Sequence, residues 1–178
     1  MAVPITYTGT IAASGSLGGV AFTDASLVLT LAGDTGNITH SGSVFINIGT
    51  MTVSVGGGAA ATFTGPSPSV FSNTFIKVVG FTVGSDVIDI SSSLFAGYDL
   101  STPIGPFGGG NFVSSASFAT TVGSFNLTSA SNAAFGAALP GAVPEPSSLA
   151  LLAACLAGLG FVSLRRRRAS YRIISEAV

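Results

Sequence analysis

The chain has no tryptophan, one cysteine, one histidine and three tyrosines in 178 residues, and only 7% of it is charged. Each scarcity removes a class of function. The single cysteine, Cys155, leaves no intrachain disulfide to form, so stability must come from packing. Cys155 lies inside an apolar run and reads as a small apolar residue without chemistry of its own. The single histidine, His40, stands in Thr39-His40-Ser41 without the Gly-x-Ser-x-Gly nucleophile elbow that would make a Ser-His-Asp arrangement specific. A soluble domain ordinarily carries about a quarter of its residues as charges, so this surface is unlike that of a cytosolic enzyme.

The few charges are sorted along the chain. Up to Pro146 there are Asp24, Asp34, Asp86, Asp89, Asp99 and Glu145 against Lys77, a net of minus five. After it, Arg165, Arg166, Arg167, Arg168 and Arg172 face Glu176, a net of plus four. A mildly acidic body offers no basic stripe to a phosphate backbone, which excludes nucleic acid as a partner. Asp86 and Asp89 are three apart, which in a regular strand puts them on opposite faces. Asp24 and Asp34 bracket a strand, and all four read as turn formers rather than paired acids. Asp34 with nearby Asn37 lacks the alternating ligand spacing of a calcium loop. The sequence therefore predicts no enzyme, no metal and no cofactor. Gly18-Gly19 and Gly56-Gly57-Gly58 neither lead into a helix nor carry a lysine, so they serve chain reversal and not phosphate binding.

What the chain has is glycine, 24 residues of it, and short β-patterned runs between Gly, Ser and Pro. The alternation predicts strands at Ile5 to Ala12, Ala25 to Leu31, Val44 to Ile48, Met51 to Val55, Ala60 to Thr64, Thr74 to Val83, Asp86 to Ile90, Phe112 to Thr121 and Gly123 to Thr128. Val44 to Ile48 and Met51 to Val55, with Gly49 between them, could form a hairpin. Nothing before Ser147 sustains a helical period. Many short strands with turn signals predict an all-β fold, an antiparallel β-sandwich or jelly-roll-like domain, over residues 1–131. Twelve of the thirteen phenylalanines precede the C-terminal segment, and Phe22, Phe45, Phe63, Phe75, Phe81, Phe95, Phe118 and Phe125 are the expected core fillers. Residues 132–142, mostly Ala, Gly and Pro, read as a linker.

The C-terminal segment has a different logic. Val143, Pro144, Glu145 and Pro146 form an extended break, because each proline biases its predecessor away from helix. Ser147 to Leu164 follows without a charge, and as a helix it would rise roughly 27 Å, close to the hydrocarbon thickness of a bilayer. Between Leu149 and Val162 no polar face recurs at helical spacing, so the run reads as a single transmembrane helix and not a surface helix. Arg165 to Arg168 cost about 2.5–3.5 kcal/mol each to bury in a membrane, so they act as a stop-transfer cluster and hold the tail from Ala169 to Val178 in the cytoplasm. The body then lies outside. Met1 to Gly19 has no basic residue and no continuous apolar run, so it reads as mature protein, and an upstream export segment is expected.

This order of Pro-Glu-Pro, short apolar helix and arginine cluster resembles the PEP-CTERM sorting signal of Gram-negative bacteria. The resemblance covers the C-terminal segment alone. It implies that an exosortase-type membrane enzyme recognises Val143 to Pro146 and cuts nearby. It also implies that Ser147 to Leu164 holds the protein transiently in the inner membrane, before release to the cell surface or the medium. Proteins carrying the signal are associated with exopolysaccharide and biofilm, which makes a non-enzymatic surface or matrix protein the expected function, with self-association of the β domain as a partner mode. A carbohydrate-binding module or minor hydrolase on the same export route is the alternative, as is a permanently anchored surface protein. Against carbohydrate binding stand the absence of Trp and the presence of only Tyr7 and Tyr98 in the body.

Overall fold

The computed structural model describes residues 2–140, and the C-terminal segment, with its expected membrane helix, lies outside the described residues. Within them the chain is all-β, two antiparallel sheets packed on one core. Its strands are β1 (Pro4–Leu17), β2 (Val20–Asp34), β3 (Thr39–Ser41), β4 (Val44–Ile48), β5 (Thr50–Val55), β6 (Ala61–Thr62), β7 (Ser69–Asn73), β8 (Val78–Thr82), β9 (Asp86–Ser91), β10 (Ile104–Gly108), β11 (Gly110–Val113), β12 (Ser117–Thr120) and β13 (Gly123–Ala138). The first sheet runs β10-β13-β1-β2-β5-β6, with β12 also on β13, and the second runs β11-β9-β8-β7-β4-β3.

The period-2 pattern explains the core. In β1, Ile5, Tyr7, Gly9 and Ile11 point inward, and in β2 Leu27, Leu29 and Leu31 do the same, all buried. From the second sheet Val79 and Phe81 of β8 and Ile88 and Ile90 of β9 meet them. The sheets approach closely at Gly9, where a Cβ would lie 2.7 Å from the Phe81 ring. Phe135 of β13 fills the centre, with its ring centroid 5.9 Å from those of both Phe81 and Phe95, 6.1 Å from that of Tyr98 and 6.2 Å from that of Tyr7.

Four expectations change. Residues 132–138 are not a linker: they continue β13, which pairs with β1 and β10, and the compact unit extends to Pro140. Small residues hide a strand from hydropathy, but Ala133 and Phe135 are buried like any inward pair. The stretch Thr74 to Val83 is not one strand, because Thr74–Lys77 form the turn between β7 and β8, and Phe75 is 82% exposed instead of filling the core. Of the other expected fillers, Phe63, Phe81, Phe95, Phe118 and Phe125 are buried, while Phe22 and Phe45 are half-buried against the core. The stretch Phe112 to Thr121 splits between the sheets, β11 joining β9 and β12 joining β13. Likewise β4 and β5 belong to different sheets and form no hairpin; at Gly49 between them a Cβ would meet the Ala32 carbonyl oxygen.

Candidate functional site

The outward face of the second sheet carries a groove of about 620 Å³. It begins with a cross-strand row in which Ile46 of β4, Phe71 of β7, Gly80 of β8, Asp89 of β9 and Phe112 of β11 stand side by side. Gly80 makes the hollow. A Cβ there would lie 2.5 Å from both the Phe71 ring and Asp89 Oδ1, so any larger residue would push the two walls apart. Val44, Val78 and Ile76 extend the apolar lining, and Asp86 stands with Asp89 on the acidic side.

Asp86 and Asp89 therefore share one face, contrary to the reading of a regular strand. The cause is a β-bulge: Phe81 pairs with Ile88 while Thr82 pairs with Asp86, which leaves Val87 as an extra residue. Val87 and Ile88 both turn inward and are fully buried. No residue type in Asp86-Val87-Ile88-Asp89 marks the bulge, which is why the sequence pattern missed it. Burial, with a smaller contribution from the neighbouring Asp86 charge, pushes the Asp89 carboxyl up to about 6. Its Oδ1 is buried and has no hydrogen-bond partner among the described residues. Chemically, the groove offers an apolar bed with negative charge along one side.

Of the other acids, Asp34 and Asp99 do turn work, whereas Asp24, expected in a turn, sits inside β2 at a bulge against β1. Asp34 Oδ1 accepts from Gly36 N at 2.7 Å and caps a short 3-10 turn, and Asp24 adopts a left-handed backbone with φ of 47°. Asp99 accepts from both the amide and the hydroxyl of Ser101, and these bonds hold its carboxyl below the usual range. His40 is exposed on the edge strand β3, its ring 5.6 Å from that of Phe45. Tyr7 and Tyr98 are both buried, so neither presents a ring plane to a ligand. Tyr98 donates to the Thr102 carbonyl instead.

Val143, Pro144, Glu145, Pro146 and Arg165 to Arg168 lie outside the described residues. The chain is thus an antiparallel β body followed by a segment whose chemistry is legible in sequence alone. Residues 142–168 match the PEP-CTERM protein-sorting motif, so the chain carries that signal. The motif implies export, with processing by an exosortase-type enzyme at the membrane. No curated protein and no solved structure matches the chain.

Proposed function

We propose that the protein is a non-enzymatic component of the cell surface or extracellular matrix, delivered and released through its sorting motif. Before processing, Ser147 to Leu164 is a transient anchor in the inner membrane with Arg165 to Arg168 on the cytoplasmic side. After cleavage near Val143 to Pro146 the β body is free at the surface, in association with exopolysaccharide or with other copies of itself. The sorting motif at residues 142–168 is the observation that carries this reading. The body supports it: a low-charge antiparallel β domain, with only 7% of the chain charged, suits a structural module outside the cell.

The topology is testable with a thiol reagent, because Cys155 is the sole native cysteine. In cells stripped of their outer membrane, a membrane-impermeant maleimide should label Ser41→Cys from outside. It should label Ala169→Cys only after lysis, in a Glu145→Ala background that retains the tail. Labelling of both positions from the same side would contradict the proposed orientation.

A further inference from the structure

The groove has a counterpart on the same molecule. The turn between β7 and β8 displays Phe75 and Ile76, 82% and 57% exposed, followed by Lys77, the sole Lys or Arg among the described residues. This display is built and held. Asn73 Oδ1 accepts from the amides of Phe75 at 3.2 Å and Ile76 at 3.3 Å. Thr74 donates from its amide and its hydroxyl to the Ser43 carbonyl, at 3.0 and 3.2 Å. Ser92 N donates to the Lys77 carbonyl at 3.0 Å, which ties the turn to the end of β9. A turn fixed in this way loses little conformational freedom when its apolar tip is covered.

We propose that the β7–β8 turn of one copy docks in the groove of a second copy, Phe75 covering the hollow at Gly80 and Lys77 facing Asp86 and Asp89. Two observations select a second copy as the occupant. The charges complement within one sequence: the only Lys or Arg among the described residues sits on an apolar tip, and two of their five carboxylates line an apolar groove. The two features also adjoin, since Ile76 at the base of the tip is itself part of the groove wall. A patch holding both a tip and its receptor is self-complementary, which is the requirement for an isologous, two-fold contact. An exposed phenylalanine is also of the aromatic class enriched at the cores of protein interfaces. The inference stands independently of the export reading.

The test is sedimentation equilibrium of the full chain in a density-matched nonionic detergent. Wild type should form a dimer. Phe75→Ser and Lys77→Asp should each raise its dissociation constant by about tenfold or more, the effect of losing a central contact. Both positions are exposed, and Asp tolerates the left-handed backbone of Lys77, φ 59°, so folding should be unchanged by circular dichroism. Lys77→Asp combined with Asp86→Lys, a swap at an exposed position, should restore the dimer, which a merely destabilising change would not do. A monomer at every concentration, or an association indifferent to Phe75→Ser and Lys77→Asp, overturns the contact. A monomer that instead sediments with anionic lipid vesicles through Phe75 and Lys77 overturns it too, and gives the turn to a membrane surface.

Discussion

Asn47 is fully buried between the sheets, and its side chain is held by a tyrosine. Its Nδ2 donates to the Tyr7 hydroxyl at 2.7 Å, and that hydroxyl donates to the Leu100 carbonyl at 2.7 Å. Tyr7→Phe removes both bonds and strands the Asn47 amide, so it should cost about 1–3 kcal/mol in denaturant unfolding, much more than the lost oxygen would on a surface. Burial pushes the Tyr7 hydroxyl up to about 12, so its contribution is full below pH 10 and is lost as the pH climbs from there through about 12. Asp89 behaves as a raised acid. Its neutral form is favoured by the fold, so its contribution is present below about pH 4 and is lost as the pH rises through about 6. Asp89→Asn should therefore be more stable than wild type above pH 6 and should flatten the difference between pH 4 and 7, measured by thermal unfolding. A wild type that loses no stability across that window relative to Asp89→Asn would refute the assignment. None of this was legible in the sequence. Tyr7 and Asn47 are forty residues apart and meet only across the two sheets, while the shared face of Asp86 and Asp89 depends on a bulge without a residue signature.

At the scale of elements, legibility followed side-chain size. β1, β2 and β5 carry large apolar residues at alternate positions, and the structure places strands over each of those stretches, while β9 is a strand despite the bulge that breaks its alternation. β7 was missed because Ser69, Ser72 and Asn73 blur its alternation behind Pro66 and Pro68, although Ser72 is buried and donates to the Tyr98 carbonyl at 2.6 Å. The second half of β13 was missed because alanine and glycine carry little hydropathy contrast. That half is central, lying between β1 and β10 with Phe135 touching both sheets. Phe135→Ala should cost about 3–5 kcal/mol, as for other buried aromatic truncations. Ending the body at Ser131 should abolish cooperative unfolding, whereas ending it at Pro140 should preserve it. Equal stability of the two truncations would mean that residues 132–138 are the spacer the sequence suggested.

For the whole molecule the balance reverses, because its most informative part is written in the order of residues along the C-terminal segment. A sorting signal works through order and spacing along the chain, Pro144-Glu145-Pro146 before an uncharged run and four arginines after it, and these survive in a sequence where three-dimensional contacts do not. The β body is the cargo of that signal, and its groove and turn are the features on which the proposed dimer rests. The central claim is that the C-terminal segment is removed on the way to the surface. Intact-mass analysis of the protein recovered from envelope and medium, beside a Glu145→Ala variant, tests it directly. The account predicts a wild-type chain ending near Val143 to Pro146 and a variant that keeps Arg165 to Arg168 in the membrane fraction. Retention of the arginine cluster by both proteins would contradict it and leave the segment a permanent anchor.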